Sequence, residues 1–302
     1  MGGFEGGDEG GFWDEDSIAT LIDKQNKNKS QHIKREKLSI QTNASGYSIQ
    51  AHAKVNIFLK ITGHKDGYHT LISRFMRVED LYDTVSFVPC ICDTFIIEGY
   101  DNIPLESNTI YKAYKALCDY TADSEIIDFF KEHKVVLSKR IPSQAGLGGG
   151  SSDGAAFMCL VKEVCNLIIS NDELAKVGST IGADFPFFIY NYPSANVSGF
   201  GEVVEFFEEE PLKLELYTPA IGCDTSVVYK TFKKNCLDTI SLSSFSGWEK
   251  LNSRSILELS SDPAILNDLY SAAIIAYPDL RKEAKQGWFF SGSGPTFFKL
   301  QS

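Results

Sequence analysis

The chain has 302 residues, a net charge of -11 at pH 7 and a pI near 5.0, with 43% hydrophobic and 23% charged residues. That length allows two ordinary hydrophobic cores, and the acidic balance speaks against a nucleic-acid-binding surface. The seven cysteines contain no CxxC pair, the five histidines show no metal-ligand spacing, and no apolar run approaches the ~20 residues that span a bilayer.

Residues 1–48 are read as a leader outside the fold. Met1 to Asp23 carries seven acids and no bases, and Lys24 to Lys37 carries six bases and one acid. Such a segment buries too little surface to offset its ordering entropy. It also lacks the apolar core of a secretory signal and the acid-poor composition of a transit peptide. Reduced, structural thiols and the absence of a signal point to a cytoplasmic protein.

From Ile49 to Ile61 the alternation is strict. Ala51, Ala53, Val55, Ile57, Leu59 and Ile61 face one way, and Gln50, His52, Lys54, Asn56, Phe58 and Lys60 the other. This predicts a half-buried strand with Lys54 and Asn56 about 7 Å apart on its polar face. Gly63 to Leu71 has the composition of a turn, tipped by Tyr68 and His69. Leu71 to Val88 reads as two strands around a turn near Asp80 to Asp83. Helices are predicted from Ser107-Asn108 through Leu117 and over Ile126 to Glu132, then a strand over Lys134 to Lys139.

The next stretch is the most informative. Ile141 to Ala156 holds four glycines in five positions (Gly146, Gly148, Gly149, Gly150), then Ser151 and Ser152, then small and apolar residues at helical spacing. Strand, glycine loop and helix start form an anion site: a backbone with no Cβ to hold a ligand away, serines placed to cap, and N–H groups at the positive end of a helix dipole. The loop is no Walker motif, since no lysine lies between Lys139 and Lys162, and no dinucleotide fingerprint, since Ser151 stands at the third glycine place. Phosphate is the favoured anion.

Further on, Ser170 to Glu173 is a capping box. Asp184 is a lone acid at the mouth of an apolar segment read as a strand, Phe185 to Tyr190. An acidic, proline-containing link at Glu208 to Pro211 sets the domain boundary, giving units 49–207 and 208–302. Ser226 to Lys234 reads as a helix carrying Tyr229. The chain closes with two strands around Ser291-Gly-Ser-Gly-Pro295, a turn able to present N–H groups to an anion.

Read together, Ala53-Lys-Val-Asn-Ile-Phe-Leu59 with Asp66-Gly-Tyr-His-Thr-Leu71, the glycine loop, Gly182-Ala-Asp-Phe-Pro186 and Ser291-Gly-Ser-Gly-Pro295 resemble the GHMP kinases over about residues 49–302. The Lys-x-Asn strand followed by Gly-Tyr-His is similar to the branch that phosphorylates a cytidine-diphosphate-linked methylerythritol. The resemblance implies an α+β, two-domain fold. A nucleotide-binding domain of mixed sheet and helix would precede a smaller C-terminal α/β sandwich, with the active site between them. Many relatives continue past the third motif, whereas this chain stops soon after it.

The same resemblance implies roles. Asp184 would be the base and Lys54 its partner. Asn56 would hold the acceptor, together with Gly292, Ser293 and Gly294 of the closing turn. Tyr68 and Tyr229 would stack on cytosine, and His69 would read its edge. Asn108, Lys139, Pro142, Gly146, Leu147, Gly148, Gly149, Gly150, Ser151 and Ser152 would surround ATP. Mg²⁺ is expected, with Ser151 or Ser152 a possible ligand and no carboxylate partner evident. Expected partners are a small molecule carrying a cytidine diphosphate, no nucleic acid and no membrane, the protein being a monomer or weak homodimer. The competing expectations are a mevalonate- or homoserine-type kinase and a catalytically silent nucleotide-binding module.

Overall fold

The computed structural model describes residues 39–301 except 44–45, 66, 101–102, 122–123 and 240–241. The leader up to residue 38 and Asp66 lie outside the described residues.

Two long strands, β2 (Gly46–Lys65) and β3 (Tyr68–Pro89), form the antiparallel hairpin on which the molecule is built. The fold therefore begins earlier than Ile49: β1 (Gln41–Asn43) pairs with Gly46 to Ser48, and the Tyr47 ring lies 6.3 Å from that of Phe129. Asp80 to Asp83 is not a turn between two strands, because β3 runs through it and only the register slips opposite His52 and Ala53.

A second irregularity falls between Asn56 and Phe58. One extra residue there shifts the alternation, since side chains on a strand repeat every two residues. Phe58, expected on the polar face, is consequently fully buried against Trp248, with ring centroids 5.6 Å apart. Lys54 and Asn56 are buried as well, so this strand has no solvated face at its centre.

Beyond β3 the first sheet continues with β4 (Ile97–Glu98), β5 (His133–Ser138) and β6 (Ser194–Gly199), and a seventh strand lies outside β6. The order is β1-β2-β3-β5-β4, with β6 on another stretch of β3 and β7 (Val203–Phe206) beyond it. Helices α1 (Thr109–Thr121), α2 (Ser124–Phe129), α3 (Gly149–Val164), α4 (Asn171–Ser179) and α5 (Phe185–Tyr190) cover it. α3 is central: Ala155 through Val161 are all buried, packing on Val85, Phe87 and Val135 of the sheet. α4 starts on the expected capping box of Ser170 and Glu173.

The remaining chain forms a three-stranded antiparallel sheet, ordered β8 (Leu214–Tyr217), β10 (Phe297–Leu300), β9 (Phe289–Phe290), with α6 (Thr225–Asn235) and shorter helices around it. Its core is not separate from the first. Ala53, Val55, Ile57 and Phe58 of β2 pack with Leu251, Ile256 and Phe298, so the hairpin's distal half is shared by both.

Candidate active site

A cleft of about 1310 Å³ opens where the glycine loop, the closing turn, the segment leading into α5, α6 and the β2–β3 hairpin meet. At its floor the Lys54 ammonium donates to Asn56 Oδ1 at 2.8 Å and lies 3.4 Å from Asp184 Oδ2. Phe75 closes the underside, its ring centroid 4.3 Å from Lys54 Nζ. Asn56 in turn donates to Ser73 Oγ at 2.9 Å, and Ser73 donates to the Phe58 carbonyl at 2.5 Å. The bulge after Asn56 makes that carbonyl available, so the strand irregularity locks the amide and, through it, the lysine.

Asp184 does not stand at the mouth of a strand. The Phe185–Tyr190 segment is a short helix with Pro186 in its first turn, and Asp184 occupies the N-cap position without bonding the helix. Its carboxylate is 28% exposed against 5% for the Lys54 side chain, so it reaches the cleft while its partner stays buried.

The glycine loop is arranged differently from the expectation. Ser151 and Ser152 do not cap α3: the N-cap is Gly148, at a left-handed φ of 71°, and no side chain bonds the helix start. The first intrahelical bond runs from Ser152 N–H to the Gly148 carbonyl, which leaves the amides of Gly149, Gly150 and Ser151 ahead of it with no acceptor among the described residues. These amides face the cleft at the positive end of a 16-residue helix. Ser152 turns away, donating to the His52 carbonyl at 2.7 Å, and is not part of the cleft wall.

The glycines are there chiefly for the protein itself. A Cβ on Gly146 would stand 2.3 Å from the Ser291 carbonyl oxygen, on Gly148 2.8 Å from the Phe188 ring, and on Gly149 2.9 Å from Ile141. Only at Gly150 would it meet nothing closer than Thr109 at 3.6 Å. The loop and the closing turn are thus packed backbone against backbone, which places Gly292 and Ser293 on the cleft beside Asn56. Gly294 does not line the cleft; a Cβ there would strike the Phe290 ring at 2.1 Å. Leu147 lends its carbonyl to the Lys54 amide while its side chain is buried in the core. Asn108 lines the cleft but spends its Oδ1 on the Ile110 amide, capping α1.

Lys139 lies beside this loop between two carboxylates, 2.5 Å from Asp83 and 2.8 Å from Asp153. Burial works against its charge, but Asp153 and Asp83 outweigh it and hold its pKa above the ordinary lysine value. Burial pushes the Asp153 carboxyl up to about 8, with Asp83 adding to the shift and Lys139 opposing it. Two buried acids around one ammonium carry one charge too many, which favours retention of a proton. Sequence reasoning missed both acids. Asp83 was hidden in the supposed turn, and Asp153 directly follows the serines of the loop.

At the far end of the cleft, Tyr68 is 71% exposed with its ring 5.9 Å from that of Phe200, and Tyr229 lies 5.6 Å from His69. Burial, aided by the charges of His64 and Lys233, lowers the pKa of His69, whose Nε2 is buried without a partner. Burial followed by the Asp184 charge raises that of the Tyr229 hydroxyl. An orphan ring nitrogen beside Tyr229, in a cleft that Tyr68 also lines, is a place for a planar, polar-edged ligand.

Among the described residues there is no cluster of three or more metal-ligating side chains, and no helix is long and apolar enough to cross a membrane.

This geometry coincides with comparison to known proteins. Residues 108–192, which hold α1, the glycine loop and the Asp184 motif, match the GHMP kinases N terminal domain. A 4-diphosphocytidyl-2-C-methyl-D-erythritol kinase of Sulfurovum sp. (strain NBC37-1) is 62% identical over 255 residues, covering 84% of this chain and 99% of that protein. The chain belongs to the 4-diphosphocytidyl-2-C-methyl-D-erythritol kinase family. Another family member, from Sulfurimonas denitrificans, is 44% identical over 83% of this chain and 96% of its own length. The fold is that of a solved 4-(cytidine 5'-diphospho)-2C-methyl-D-erythritol kinase, with a TM-score of 0.63 at 24% identity over 84% of this chain and 90% of that one. The Methanococcus jannaschii mevalonate kinase shares it at a TM-score of 0.54 and 17% identity, over 86% and 92% of the two chains.

Proposed function

We propose that the chain transfers the γ-phosphate of ATP to the 2-hydroxyl of 4-diphosphocytidyl-2-C-methyl-D-erythritol, a step of isoprenoid biosynthesis by the methylerythritol route. The observation that carries the reading is one cleft holding, in order, free amides at a helix start, a lysine–aspartate pair, and an aromatic pocket with an unpartnered imidazole nitrogen.

The roles follow from position. The amides of Gly149, Gly150 and Ser151 take the triphosphate. Asn56 and Ser293 hold the acceptor alcohol beside Asp184, which accepts its proton as the oxygen attacks phosphorus. Lys54, 3.4 Å from that carboxylate, offsets charge building on the attacking oxygen. Tyr68 and Tyr229 hold the cytosine between them, and His69, neutral at pH 7, bonds its edge. Residues 49–207 provide the nucleotide site, and 208–302 close the acceptor side.

The residues fit a magnesium ion brought with the nucleotide. Ser151 Oγ is 3.6 Å from where a Gly182 Cβ would stand, so a hydroxyl from the helix start faces the segment that carries Asp184. Magnesium commonly needs only one or two protein oxygens beside phosphate and water. When bound, it would neutralise charge on the transferring phosphate.

The deciding experiment is ATP consumption by the purified protein with cytidine-diphosphate-linked methylerythritol, mevalonate and homoserine as acceptors. Turnover with the first alone is expected. Turnover with either of the others would reassign the acceptor, and none with any would leave a silent nucleotide-binding module.

A further inference from the structure

An acceptor with a diphosphate between its base and its reacting alcohol brings charge into a protein whose net charge is -11. The cations on the cleft wall are therefore informative. Among the described residues four lysines line it: Lys54, Lys139, Lys230 and Lys233. The first two are occupied, Lys54 by Asp184 and Asn56 and Lys139 by Asp83 and Asp153. Lys230 and Lys233 are exposed and form no ion pair among the described residues.

Both stand on α6. Lys230 follows Tyr229 directly, and Lys233 lies one helical turn beyond it, positions that share a side of the helix. The start of α6, at Thr225 and Ser226, also lines the cleft, and Thr225 Oγ1 lies 2.8 Å from Ser293 Oγ in the closing turn. The helix thus runs from the acceptor end of the catalytic pair to the aromatic pocket. Two of its first amides are already taken, Asp224 accepting from Ser226 and Val227 at 2.7 and 3.1 Å. The positive charge available to an anion along this wall is therefore chiefly that of side chains.

We infer that Lys230 and Lys233 recognise the diphosphate of the acceptor, their ammonium groups bracketing it between the tyrosine pocket and Asp184. The inference rests on the acceptor reading above and deepens it. Lys233 lies near enough to His69 for its charge to act on the imidazole, which sets it at the nucleoside end. Lys230 acts likewise on Asp224, which sets it nearer the closing turn. Mevalonate and homoserine carry no diphosphate, so the pair would separate this acceptor from theirs independently of base stacking.

The test is calorimetric binding of CDP and of cytidine to the full chain and to Lys230→Gln, Lys233→Gln and the double variant. The parent should bind CDP more tightly than cytidine. The double variant should narrow that ratio by about tenfold or more with cytidine affinity unchanged, and added KCl should narrow it in the parent alone. Lys230→Arg/Lys233→Arg should restore the preference. An unchanged ratio in the double variant, or a parallel loss of cytidine binding, overturns the inference. A parent that binds neither molecule overturns instead the acceptor reading beneath it.

Discussion

At the scale of single residues, the site depends on an ammonium that is buried and a carboxylate that is not. Asp184→Asn keeps the shape and removes the base, so kcat should fall by about 10²–10⁴-fold with ATP affinity nearly unchanged. Lys54→Met should also lower kcat. The double variant should lose far less than the product of the two, because the pair 3.4 Å apart acts as a unit. Steady-state kinetics of the three variants checks this, and near-parent kcat in Asp184→Asn would remove the base assignment. His69 gives a pH test. Its folded pKa lies below the ordinary 6.5, burial being the main cause, so the folded state prefers neutral imidazole. Its contribution to stability is full above the unfolded pKa and is lost as pH falls through 6.5 toward the folded value. His69→Gln should therefore lose less of its melting temperature than the parent between pH 7.5 and 5.5. An equal loss in both would place the pH dependence elsewhere.

At the scale of elements, the glycine loop shows what a sequence discloses and what it conceals. The composition of Gly146 to Ser152 suggests an anion site at a helix start, and the structure has a helix start there whose Gly149, Gly150 and Ser151 amides have no acceptor among the described residues. The reason for most of those glycines was not legible, because it lies in tertiary neighbours: the Ser291 turn, 145 residues away, for Gly146, the Phe188 ring for Gly148 and the Ile141 side chain for Gly149. The bulge at Phe58 and the helix after Asp184 escaped for a similar reason. Strict alternation reads as a strand until tertiary packing inserts a residue, and Phe185 to Tyr190 has the aromatic, β-branched composition of a strand although it packs as a helix. Two substitutions separate the two uses of glycine. Gly146→Ala meets a left-handed φ of 73° and the Ser291 carbonyl at 2.3 Å, and should cost about 2–4 kcal/mol of stability. Gly150→Ala meets only Thr109 at 3.6 Å and should fold as well as the parent, yet weaken ATP binding by about tenfold as a methyl enters the phosphate site. Denaturant melts and nucleotide titration of both variants distinguish them. Unchanged ATP affinity in Gly150→Ala would move the triphosphate off this amide row.

At the scale of the whole molecule, the acidic link at Glu208 to Pro211, read as a domain boundary, is where the two halves are fastened. Arg74 of β3 is fully buried beneath the Phe207 ring, 3.3 Å from its centroid. It donates to Asn196 at 2.8 Å, to Glu209 at 3.2 Å and to the carbonyls of Glu249 and Leu251 at 3.0 and 3.1 Å. Glu209 also takes the Ser194 hydroxyl at 2.5 Å and the amide and hydroxyl of Ser253 at 2.6 Å. Burial lowers the Arg74 pKa to about 10 against the pull of Glu209, which leaves the guanidinium charged at neutral pH. The partners of this buried charge thus come from three segments: β6, the link, and the helical region after residue 248. Removing one side of such a pair strands the other, at a cost of about 3–5 kcal/mol, more than the pair itself contributes. Glu209→Ala should therefore lower the melting temperature sharply in a single transition, because both halves lose the same anchor. Arg74→Met with Glu209→Gln should recover much of the loss, since neither then leaves a bare charge. A biphasic melt in Glu209→Ala, with one half surviving the other, would show that the shared hairpin and not this ion pair couples the two cores.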